Sequence, residues 1–284
     1  MYRMVQKTLG VGVVLATVAI TPAIAQSTLT FTPVTSCVGA HVHVVPVLDG
    51  GAASAGRSSS RGQADGGGST SAPSSVLELA DLSPANASLV QACAYGDDGS
   101  FLGGASFTLP ASTRILAVES SSAALTVHQL FGLSAMPSVP FHAIIATDQP
   151  TVVQGGNVGP LGHAFFIEHG AHPGTILGMA PLTHVPTLTG TLMLVNTASQ
   201  AATYTVEFLD NSGTVLATAT TSQVPGLGRL QATLASLAGQ AAGLKTATML
   251  RVTGAAGQIA AGWVVTIEPE EFQRTAYVLG VVQP

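Results

Sequence analysis

Apolar and polar positions alternate with a period of two along much of this chain. In the cleanest run, Tyr204, Val206 and Phe208 lie on one side while Thr203, Thr205 and Glu207 lie on the other. That pattern marks a strand with one buried face. Leu29 and Phe31 alternate with threonines in the same way, and residues 27–47 predict two strands. In the second of these, Val38, Val42 and Val44 fall on one face and Cys37, His41 and His43 on the other. Asp98-Gly99 and Ser212-Gly213 separate apolar runs, where a hairpin turn needs a residue tolerant of positive φ. Helical spacing competes in one place: Leu230, Leu234 and Leu237, set among alanines, predict a turn or two of helix confined to the second half of the chain.

The alternating pattern occurs twice. Leu89-Val-Gln-Ala-Cys-Ala-Tyr-Gly-Asp-Asp-Gly99 is answered by Thr203-Tyr-Thr-Val-Glu-Phe-Leu-Asp-Asn-Ser-Gly213, and Leu109–Arg114 by Val224–Arg229. Further on, Thr151–Gly155 matches Gln258–Gly262 and His163–Ile167 matches Thr275–Leu279. The order is kept, which reads as an internal duplication. The fold expected is all-β, with two tandem antiparallel β-sandwich modules. The first spans 76–170 together with the N-terminal strands of 26–47, and the second spans 190–284. Residues 171–189, punctuated by Pro173, Pro181 and Pro186, read as linker or edge segment.

The phrase Asn196-Thr-Ala-Ser-Gln-Ala-Ala-Thr-Tyr-Thr-Val-Glu-Phe208, the Asp-x-x-Gly hairpin after it, and the later hairpin from Arg251-Val-Thr253 to Ile259-Ala-Ala261 resemble secreted bacterial immunoglobulin-like sandwich repeats. The resemblance implies an architecture. The cysteine–tryptophan–cysteine core of antibody domains is missing, because Trp263 lies far beyond both cysteines. No functional residue is carried over, since fold likeness supplies no function.

Residues 1–25 read as a secretory signal. Arg3 and Lys7 form a basic start, Leu9–Ile20 an apolar core, and Ala23-Ile24-Ala25 a small-x-small cleavage site. The mature chain of 259 residues would carry seven basic against fourteen acidic side chains, a net charge of −7. No later stretch is apolar enough to span a bilayer as a helix. Charged residues are 8% of the chain, so the surface must be polar but weakly charged, which argues against a nucleic-acid partner. Residues 48–75 are almost wholly Gly, Ser and Ala with a few charges; such a segment buries too little to offset its ordering entropy and reads as a flexible loop. Cys37 and Cys93, an even count in an exported chain, point to a disulfide across that loop, with two buried free thiols as the other option.

Histidine is the one unusual chemical resource. His41 and His43 project from one strand face, and His163, Glu168, His169 and His172 form a second group. Imidazole and carboxylate donors suit zinc or copper, although neither group carries a known ligand spacing. Glu268-Pro-Glu-Glu271 lacks the loop pattern of a calcium site. Neither a Gly-x-Ser-x-Gly elbow nor a Ser-x-x-Lys pair is present. Asp97, Asp98 and Asp210 read as turn formers. Trp263, in an apolar run, reads as core. The expectation is a secreted, non-enzymatic binding or structural protein of the bacterial envelope or exterior, without a cofactor, meeting a protein or cell-surface partner through its sheet edges. The alternatives are a periplasmic histidine-based metal binder and a hydrolase with an unrecognised site.

Overall fold

The structure is a computed structural model and describes residues 29–48, 74–120, 123–158, 164–169, 171–179, 190–239, 246–255, 258–268 and 273–281. The expected signal, most of the Gly/Ser loop and His163 lie outside the described residues.

The chain is all-β and its sheets are antiparallel. The first half contributes β1 (Thr32–Pro33), β2 (His41–Leu48), β3 (Ser74–Asp81), β4 (Ser88–Tyr95), β5 (Phe101–Leu109), β6 (Arg114–Val118), the one-turn helix α1 (Val127–Leu130), β7 (Phe141–Thr147), β8 (Thr151–Val158) and β9 (Ala164–His169). The second half contributes β10 (Ile176–Met179), β11 (Thr191–Asn196), β12 (Tyr204–Leu209), β13 (Val215–Thr220), β14 (Arg229–Thr233), α2 (Leu234–Ala238), β15 (Met249–Gly254), β16 (Ala260–Glu268), β17 (Gln273–Val278) and β18 (Gly280–Val281).

Each half builds two sheets, and their strand orders correspond. β1-β5-β4-β7-β2 answers β13-β12-β15-β10-β18, with β1 and β18 as additions on opposite edges, and β6-β3-β8-β9 answers β14-β11-β16-β17. The likeness reaches the register. The β4–β5 and β12–β13 hairpins both carry a bulge beside the turn, between Ala94 and Tyr95 and between Phe208 and Leu209. Gly99 and Gly213, at φ +81° and +83°, make the two turns, as the sequence predicts. The ladders align Val152 with Ala261, since their partners Ala80 and Val195 both face the paired arginines 114 and 229. The match of Thr151 therefore falls on Ala260, two residues beyond the Gln258 that sequence matching suggests; apolar alternation tolerates a shift of two without changing faces.

Three apolar clusters result among the described residues. One joins the inward residues of the first two sheets, including Leu77, Leu79, Phe107, Phe141 and Ile145, and a second does the same in the other half with Leu192, Leu194, Tyr204, Phe208 and Val252. The third lies between the halves: Val44, Cys93, Tyr95 and Ile144 on the outer face of the first half's five-stranded sheet meet Met193, Val195, Ala261 and Trp263 on the outer face of the second half's four-stranded sheet. Trp263 is fully buried there, in agreement with its reading as core.

Several expectations are corrected. The stretch 171–189 supplies β10, which pairs with β15 and β18 as β2 pairs with β7. The helix begins at Leu234, where Thr233 Oγ1 accepts from Ser236 N–H; Leu230 belongs to β14. The first half has its own helical turn, α1, in which Gln129 Oε1 accepts from Thr126 N–H. Val38 is 76% exposed, and Cys37 packs with Val42 and Val44 rather than opposite them. The chain bends before β2 begins at His41, so the face parity does not extend back to Cys37.

Candidate functional site

The structure regroups the histidines. His43 lies on β2, on the face opposite Val42 and Val44, and is 5% exposed. His172, assigned by sequence to the other cluster, packs its ring against His43 with centroids 4.6 Å apart. The Val44–Ala171 bridge brings it there, and its Nδ1–H donates to the Val42 carbonyl at 3.1 Å. His43 Nε2 has no hydrogen-bond partner among the described residues. Burial first, then the nearby His172 and His41, lowers the His43 pKa from 6.5 to about 4, so its ring is neutral at physiological pH. Glu168 and His169 pair through the β9 backbone with Gly155 and Gln154. Among the described residues no group of three or more His, Cys, Asp or Glu side chains is arranged to hold a metal ion.

The corresponding positions of the second half show what stands here without histidine. His43 faces Ile145 on β7 as Leu177 faces Val252 on β15. Val44 meets Ala171 as Gly178 meets Gly280, so His172 takes the place of Val281, the residue opposite Leu177. A leucine–valine contact in one copy is a histidine–histidine contact in the other. An orphaned buried Nε2 costs roughly 1–3 kcal/mol, a cost that the leucine avoids.

A second polar cluster fastens the halves together. Arg229, with 3% of its side chain exposed, reaches Asp97 Oδ1 at 2.7 Å, and its backbone N–H donates to the Asp97 carbonyl. His142 is fully buried under the stacked ring of Tyr95, and its Nε2–H donates to the Leu227 carbonyl at 3.0 Å. Burial, and then the Arg229 charge, takes its pKa from 6.5 to about 3. Leu227 is held at φ +56°, a sparsely populated region for such a residue. Asp98 and Asp210 accept from the backbone of their own turns, as expected. Asp97 serves the interface instead. Sequence reading missed His142 and Arg229, because alternation marks burial and does not say which outer faces will meet.

The outer edges of the two corresponding five-stranded sheets differ. β1 covers β5: Val34 N–H donates to the Gly104 carbonyl at 3.0 Å, and Phe31 packs edge-on against Phe107 at 5.2 Å. The Cys37–Cys93 disulfide, Cα–Cα 6.0 Å, anchors that segment. The equivalent strand β13 has no second partner strand among the described residues. Thr221 N–H bonds back to the Tyr204 carbonyl, so alternation turns the backbone of Thr220 and Thr218 outward. Their counterparts, by the shared hairpin register, are Ser106, which faces Thr32, and Gly104, which accepts from Val34. Val215 is 41% exposed, and Leu216, Leu230 and Leu237 are half-buried against the second core.

A shallow opening of about 430 Å³ lies between Leu29, Phe31 and α1, lined mostly by apolar side chains. Its one amide, Gln129, already caps the helix. His128 is taken up by Glu119, Nδ1 to Oε1 at 2.9 Å. No helix among the described residues is long and apolar enough to cross a membrane.

No protein-family model matches the chain, and no match among curated proteins was found. Among solved structures, one of a candidate secreted protein from Parabacteroides distasonis aligns over 77% of this chain and 85% of its own, at 10% identity and a TM-score of 0.20. A likeness at that level carries no argument here.

Proposed function

We propose that the chain is a secreted, non-enzymatic binding or structural protein that takes an extended segment of a partner protein onto β13. The observation that carries this reading is the contrast between twin edges: the chain pairs β5 with its own β1, whereas no second strand pairs with β13 among the described residues. β13 reads Val-Leu-Ala-Thr-Ala-Thr. It has no proline and no charge, the usual devices that keep an edge from pairing, and its single bulge lies at one end. Such an edge is a template for strand addition: main-chain hydrogen bonds supply affinity and alternate side chains supply selectivity. The half-buried Leu216, Leu230 and Leu237 favour an apolar, β-branched occupant with the character of Leu29–Val34. The disulfide suits an oxidising compartment.

The test uses the full chain and a fluorescent peptide with the sequence of residues 29–35. Saturable anisotropy, together with slowed amide exchange at Thr218 and Thr220, is expected. Thr218→Pro removes one outward N–H while sparing the ladder to β12, so it should abolish binding in a protein whose melting curve is retained. Absence of saturable binding, or binding indifferent to the proline, would refute the proposal.

A further inference from the structure

We infer that His43 and His172 form a two-imidazole site for a cupric ion, independent of the β13 edge. The duplicated half demonstrates that the fold is satisfied by an apolar pair, Leu177 and Val281, at these two positions. Replacing both members by histidine in one copy puts two nitrogen donors where packing asks for none.

The geometry suits a ligand pair. The rings lie 4.6 Å apart between centroids. His172 donates Nδ1–H to the Val42 carbonyl, which leaves the lone pair on Nε2. A backbone carbonyl on the far nitrogen is the usual way in which a metal-bound imidazole is oriented. His43 Nε2 is buried and has no hydrogen-bond partner among the described residues. His172 is exposed, so an ion can enter from that side and complete its shell with water. Each Nε2 would form a coordinate bond through its lone pair, with the ring proton kept on Nδ1. Two protein donors fall short of the three or four that zinc sites use, while copper(II) heads the divalent affinity order and accepts nitrogen and water in a tetragonal shell. Those preferences select copper over zinc.

Copper(II) chloride is titrated into the full chain by calorimetry, with paramagnetic resonance on the one-equivalent sample. One saturable micromolar site is expected, with a spectrum showing coupling to two imidazole nitrogens. His43→Leu and His172→Val install the residues of the other half. Each should weaken binding at least about tenfold, with a melting temperature equal to or above that of the parent. Should His43→Leu fail to fold, the exposed His172→Val decides alone. Absence of binding at 100-fold excess copper overturns the site. Binding that survives both substitutions also overturns it, and would place the ion at other donors such as His163 or His169.

Discussion

Protonation of His142 should make the joint between the halves acid-labile. Its native pKa of about 3 lies well below the ordinary 6.5, because the ring is buried and Arg229 stands nearby. A depressed histidine pKa means that the unfolded chain takes up the proton first. Stability from this group is therefore intact above pH 6.5 and falls steadily as the pH drops toward 3. The slope is about 1.4 kcal/mol per pH unit, so between pH 7 and pH 4 the native state should lose about 3 kcal/mol through this residue. The charged group facing the ring is Arg229, itself held by Asp97, and Tyr95 stacks on the ring without charge. Met249 occupies the equivalent position in the second half, opposite Leu209 as His142 is opposite Tyr95, which makes His142→Met the natural perturbation. It should cost about 1–2 kcal/mol at pH 7 by orphaning the Leu227 carbonyl, yet lose about 3 kcal/mol less than the parent on acidification. Urea denaturation at pH 7 and pH 4 measures both, and the double difference cancels every titrating group that the two proteins share. Parallel pH dependence in parent and variant would show that the buried imidazole is not the cause.

The other expectations concern the same joint and its tether. Gly99→Ala and Gly213→Ala impose the same positive-φ penalty, roughly 1–3 kcal/mol; a Cβ at Gly213 meets nothing, whereas one at Gly99 runs into the Gly226 carbonyl of the other half, so thermal melts should show Gly99→Ala to be clearly the worse. Replacing Cys37 and Cys93 by serine frees a separation of 56 residues and should cost about 4 kcal/mol on the chain-entropy model, with β1 amides exchanging faster than those of β12. Trp263→Ala, at the centre of the inter-half cluster, should cost about 3–5 kcal/mol and raise protease sensitivity between the halves; a loss below about 1 kcal/mol would mean that the two outer faces are not in firm contact.

Much of this architecture was legible. The alternation of Tyr204, Val206 and Phe208 gives a strand whose inward residues are buried, and the two Gly turns lie where the pattern requires. The helix boundary was misread because Leu230 satisfies helical spacing and strand alternation at once. The histidine site was only half legible. His41 and His43 share a face by parity, but the pairing of His43 with His172 depends on a contact across 129 residues that no local period encodes. The β18 strand shows what was missing: only once Gly280–Val281 is seen to pair with β10 does the place of Ala171 and His172 become clear.

The way the halves stack was nevertheless written in the differences between the copies. On the outer face of the second half's five-stranded sheet, Glu207 and Arg251 stand opposite each other and form an ion pair at 2.6 Å. Their counterparts in the first half are Cys93 and Ile144, buried in the joint. The four-stranded sheets show the reverse. Glu78 and Arg114 pair at 2.6 Å near solvent in the first half, while the second half has Met193 in place of Glu78, and Arg229, the counterpart of Arg114, turns to Asp97 across the joint. Among the described residues the two apolar outer faces meet, each opposite outer face carries an ion pair, and the edge strands β9 and β17 also come together across the joint. The strand addition proposed for β13 draws on a separate contrast between the copies: of the two equivalent edges, β5 and β13, the chain pairs the first with its own β1.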